Sequence, residues 1–159
     1  PSAALIIGRL CADGLRAAAA SSVILLVGVF TGAGLASGPA GFVAIIALTT
    51  GWAIAWSGVA LTIALRTGSL DAVQLAFFVG FPIVFLSPAF GPRELLHGWM
   101  GTFAAFNPVT YQIESVRHLI LQGWDSELWL KAAAAIIIVG AVTLTLASRA
   151  LTGRVRAER

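Results

Sequence analysis

The sequence predicts an all-α fold, a polytopic membrane helical bundle of four transmembrane helices plus an outer amphipathic helical hairpin. Composition is the first reason: 58% of the residues are hydrophobic and 11% charged, against roughly 45–50% and about 25% in a soluble domain, and mean hydropathy is +0.93. The second is that the apolar residues gather into runs, each long enough for the ~20 helical residues that cross a hydrocarbon core. The third is one long charged stretch, residues 91–127, standing between two of those runs.

The chain opens on Pro1 in a mixed segment that lacks the basic head and cleavage site of a signal peptide, and it reads as the C-terminal part of something longer. The first span, residues 15–35, carries one early charge, Arg16, placed to snorkel to the interface, and a small-xxx-small pair, Gly28 and Gly32. Residues 36–39 form a tight Gly- and Pro-bearing turn. The second span, 40–65, is long enough to tilt and sets Trp52 and Trp56 one helical turn apart. Arg66 to Asp71 make a charged turn, after which the third span, 72–90, contains Pro82 and ends on Ser87-Pro88. The fourth, 128–151, opens with Trp129 and Lys131 and runs into a basic tail, 152–159.

Orientation follows from Lys and Arg, because acidic residues weigh little in the positive-inside rule. Four spans place both ends on one side, with Arg9, Arg16, Arg66, Arg149, Arg154, Arg156 and Arg159, whereas Arg93, Arg117 and Lys131 fall on the other. The termini are therefore expected in the cytoplasm and residues 91–127 outside.

Within the outer segment, Asn107 is placed to cap a helix that starts at Pro108. Ile113, Val116 and Ile120 share one face of it with Leu119 beside them, while Glu114, Arg117 and His118 fall opposite, where Glu114 can pair with Arg117 or His118. A charge at the centre of a span costs about 2.5–3.5 kcal/mol, so this helix is expected at the interface or dipping in partway. Residues 92–106 read as its partner, with Leu95, Leu96, Trp99, Met100 and Phe103 as the apolar side chains. Trp99, Trp124 and Trp129 form an outer interfacial belt.

A Pro-bearing span closing on Phe85-Leu86-Ser87, an amphipathic stretch, Asn107-Pro108-Val109-Thr110-Tyr111 and Glu114-Ser115-Val116-Arg117 follow one another in an order that resembles the membrane subunit of type 2 ABC exporters. The drug-resistance and nodulation-type permeases of bacteria are the branch it is most similar to. Arg66 with Asp71-Ala72-Val73-Gln74 fits that family's turn before its fifth span, and residues 1–10 resemble the stretch after its coupling helix. The resemblance implies six spans in the complete subunit, four of them here, a second permease copy or paralogue, and a separate cytoplasmic ATP-binding-cassette ATPase subunit in the cell inner (plasma) membrane. Pro88 departs from the family's usual Gly after the Ser, and Gly91 from its usual apolar residue.

No GxxxxGK[ST] phosphate loop occurs, so the chain is not expected to be an enzyme or to hold a cofactor. Glu94-x-x-His97 and Glu114 with His118 have metal-ligand spacing, yet a di-metal site needs further carboxylates on facing buried helices, and surface pairing is the simpler reading. Cys11 is the single cysteine, which excludes an intrachain disulfide. The net charge of +3 is spread along the chain, which suits membrane lipids and orientation better than nucleic acid. Gly80 and Pro82 are hinge candidates, since proline frees a carbonyl one turn back and lets the outer half of the span swing. Asn107, Pro108, Tyr111, Glu114 and Arg117 form a collar motif on the outer side, and Phe77, Phe81 and Phe85 are candidates to line a path. These residues together suggest a permease that exports an apolar or amphipathic substrate; the alternative is a non-transporting membrane scaffold or assembly protein.

Overall fold

In the computed structural model, which describes residues 2–68, 72–91 and 93–157, helices are the regular structure. They are α1 (Ser2–Phe30), α2 (Gly38–Thr67), α3 (Ala72–Phe85), α4 (Trp99–Phe106), α5 (Pro108–Leu121) and α6 (Ser126–Ala157), with a 3-10 turn at Arg93–Leu95. Pro1, the end of the charged turn (69–71), Pro92 and the last two residues of the basic tail lie outside the described residues, as do the side chains of Val73, Glu94, Arg154 and Arg156.

Three helices are long and apolar enough to cross a membrane: Ile6–Phe30, Gly38–Thr67 and Ser126–Gly153. The first departs from expectation at both ends. Nothing in residues 2–14 breaks a helix, and Asp13 lies 3.8 Å from Arg9 and 3.3 Å from Arg16 along it, so the mixed segment joins the span. At the other end Gly32 (φ 89°) and Gly34 (φ 69°) turn the chain in a left-handed conformation open to glycine. Gly32 is thus outside the helix, and Gly28 meets no neighbour within 4 Å among the described residues of this chain. The third expected span, 72–90, is helical only as the 14 residues of α3, which at 1.5 Å each reach about 21 Å. Pro88 cannot continue it, and residues 86–89 turn instead. Of the expected basic tail, residues 152–157 continue α6.

α2 is the centre of the bundle, touching α1, α3, α5 and α6. Pro39 stands in its first turn, and Gly68 (φ 69°) closes it by donating to the Ala64 carbonyl at 3.0 Å. Against α1 it places Ser57, whose hydroxyl donates to Asp13 Oδ2 at 2.6 Å. Against α6 it places Gly58 opposite Thr143, whose Oγ1 donates to the Ala55 carbonyl at 2.7 Å. The core gathers Ala44, Ile45 and Leu48 of α2, Leu119 of α5 and Ala132 of α6. Large apolar side chains such as Ile24, Phe30 and Ile137 face outward, as lipid contact requires.

Candidate functional site: the hairpin and the end of α3

α4 and α5 form a hairpin that packs into the bundle. Its upper end is fixed where the α1–α2 turn meets α5: the Ala36 and Ser37 amides donate to the Ile120 and Leu119 carbonyls at 3.0 and 3.1 Å, and Ser37 Oγ to the Leu119 carbonyl at 2.6 Å. Its tip, Phe106-Asn107-Pro108, shares a cavity with Trp52, Trp56, Val139 and Thr143. Val139 is about 13 residues into α6, or about 20 Å along it from its start, so the hairpin tip reaches deep between the helices.

Burial explains why. Val109, Thr110, Gln112, Ser115 and Leu119 are the buried residues on α5, while Ile113, Val116 and Ile120, which share its apolar face, border a cavity of about 520 Å³ between α5 and α2. α5 is enclosed by α2, α6 and the end of α3, so small polar residues fill its tight side, where they let helix backbones approach closely.

Asn107 serves two helices. Its Oδ1 accepts from the Val109 amide at 3.0 Å, capping α5, and its Nδ2 donates to the carbonyls of Ile83 at 2.6 Å and Leu86 at 3.4 Å, closing α3. The side chain is 3% exposed, so both roles are played away from water. Tyr111 ties the hairpin to itself, its hydroxyl donating to the Ala105 carbonyl at 2.6 Å. Higher on α5, Arg117 donates from Nη2 to the Pro88 carbonyl at 2.6 Å and from Nη1 to that of Gly91 at 3.4 Å. Glu114 reaches Arg93 at 3.7 Å, and His118 Nδ1 lies 3.4 Å from the Gly123 carbonyl. Glu114 and Arg117 thus look across to Arg93, Pro88 and Gly91, and His118 turns to the end of its own helix.

The remaining candidates lie on α3. Gly80 is buried against Trp56, whose Cζ2 would stand 2.6 Å from an added Cβ, so packing accounts for that glycine. Pro82 removes one helical donor, and the Pro82 carbonyl itself still accepts from Leu86 at 2.9 Å. Phe77, Phe81 and Phe85 face outward as a ladder with centroids 6.0 and 5.1 Å apart, continued by Phe90 at 5.0 Å. Sequence reading passed over Asp13, Ser37, Ser57 and Thr143. Asp13 alone had a signal, its spacing of four and three from Arg9 and Arg16; the hydroxyls are recognised only by what faces them. Among the described residues no three His, Cys, Asp or Glu side chains are grouped to hold a metal.

Long apolar helices around a hydrogen-bonded helical hairpin define a polytopic membrane protein. The model of the ABC-2 type transporter family matches residues 1–121, and the chain belongs to that family. It is also 30% identical over 50 residues to a protein of Cyanophora paradoxa named as a transport permease, ycf38, in a match covering 31% of this chain and 17% of that protein. No solved structure matches the chain.

Proposed function

We propose that this chain is the membrane-spanning permease part of an ATP-driven ABC exporter that moves an apolar or amphipathic substrate, a drug, lipid or glycan, out of the cytoplasm. A separate cytoplasmic ATP-binding-cassette subunit hydrolyses ATP, a second permease copy or paralogue completes the path, and the assembly sits in the inner membrane with both termini cytoplasmic. In this reading α3 with residues 86–91 makes the fourth crossing, the α4–α5 hairpin forms an outer collar, and Phe77, Phe81 and Phe85 line the path.

The observation that carries the reading is the fastening of α3 to the collar by Asn107 and Arg117. In this reading the hinge at Pro82 works in the opposite sense to the one first expected. The segment above Pro82 is held at Ile83, Leu86, Pro88 and Gly91, so residues 72–81 become the moving arm and swing against Trp52 and Trp56. Differential binding of ATP to two states of the ATPase partner drives that swing.

Two experiments test this. The full permease should copurify with an ATPase whose hydrolysis depends on it, and inside-out vesicles should take up substrate with ATP; a partner without ATPase activity would instead favour the scaffold. Pro82→Ala restores a backbone bond and stiffens the helix by up to about 3 kcal/mol, so transport should slow severalfold with assembly intact. Transport at the wild-type rate would remove the hinge.

A further inference from the structure

We infer that the cavity between α2 and α3 binds a flat, uncharged aromatic molecule. The inference rests on the exporter reading for the direction in which that molecule leaves; binding itself needs no ATP.

The cavity measures about 350 Å³ and is bounded by three helices: Trp52 and Trp56 from α2, Phe77, Gly80 and Phe81 from α3, and Val109 from α5. That volume falls in the ~300–1,000 Å³ range of small-molecule sites. The two indoles stack with planes 17° apart and centroids 6.3 Å apart, and Phe77 and Phe81, outward-facing and tilted 39° to each other, border the open side of the cavity. Gly80 completes the wall, because a side chain there would displace the Trp56 ring that forms it. Trp52 also borders both neighbouring cavities, one toward α5 and one toward the hairpin tip, so it stands at the junction of the accessible space inside the bundle.

The walls choose the ligand class. None of the lining side chains is ionisable. The attraction of ring faces for a cation is smaller than the cost of stripping water from a charge that meets no counter-charge, which disfavours an ammonium. Four rings that can take a partner in offset or edge-to-face geometry favour a flat aromatic over an aliphatic chain of equal size. The ladder from Phe77 through Phe81 and Phe85 to Phe90, with centroids 5.0 to 6.0 Å apart, continues the same chemistry toward the outer turn and offers such a molecule a route out.

The test is photolabelling of the full permease with its ATPase in lipid nanodiscs, without nucleotide, using tritiated 1-azidopyrene. Label should concentrate in residues 52–84, and unlabelled pyrene should displace it while hexadecane and tetraphenylphosphonium do not. Trp56→Leu keeps apolar bulk but removes the stacked wall, and should lower that label about tenfold with the label on α1 unchanged. If this variant does not assemble, Trp52→Leu reads the same quantity. Label spread evenly over α1, α3 and α6, an unaffected variant, or displacement by hexadecane or tetraphenylphosphonium overturns the inference. ATP-driven pyrene export is measured separately: pocket label without export leaves the site standing and sinks the exporter reading, whereas export without pocket label does the opposite.

Discussion

Asn107→Asp should destabilise the protein by several kcal/mol and abolish export, although aspartate caps helices about as well as asparagine. The carboxylate still accepts from the Val109 amide, so the start of α5 is preserved. The damage falls on α3. The Nδ2 donor, now 2.6 Å from the Ile83 carbonyl and 3.4 Å from that of Leu86, is replaced by an anionic oxygen in a place 3% exposed to solvent. Leaving a buried carbonyl unpaired costs about 1–3 kcal/mol, and an unpaired buried charge about 3–5 kcal/mol. Asn107→Ala removes all three bonds without adding charge and should fall between wild type and Asp. Thermal unfolding in nanodiscs together with vesicle transport gives the ranking. Wild-type stability in the Asp variant would show that Asn107 is only a helix cap and that α3 is not fastened through it.

Gly58→Ala should lower stability by about 1–3 kcal/mol, the range for overpacking a filled interior, against the ordinary preference for Ala inside a helix of about 1 kcal/mol. The added Cβ would lie 2.5 Å from Thr143 Oγ1, 2.7 Å from its Cβ and 3.0 Å from its backbone carbon. A rotamer change relieves the first of these and forfeits the bond from Thr143 to the Ala55 carbonyl; the last requires α2 and α6 to separate. Gly28→Ala is the control, since it meets nothing within 4 Å and should be neutral or slightly stabilising in the same unfolding measurement. Equal behaviour of the two variants would mean that the α2–α6 contact is not close-packed.

Legibility in the sequence tracked how local each cause was. Asn107 before Pro108 announced a helix start, and the Asn107 cap and Pro108 are found there. Glu114 and Arg117 stood out as charges on a membrane segment, but their partners are 21 to 29 residues away in the chain, at Arg93, Pro88 and Gly91, and no spacing rule reaches that far. The mixed segment before residue 15 gave no helix signal by hydropathy, whereas Arg9, Asp13 and Arg16 satisfy one another along the helix it forms. The contact of Gly80 with Trp56 likewise joins residues 24 positions apart and leaves no local signal.

The sequence by itself determined that this is an all-helical membrane protein with long apolar spans, a capped and charged helix between two of them, and a permease family resemblance. Hydropathy, helix caps and proline act within a few residues, and so they can be read along the chain. Only the tertiary structure decided that the charged helix packs within the bundle and that one asparagine starts α5 and ends α3. Those outcomes depend on which backbone carbonyls are left unpaired and what faces them once the helices have packed.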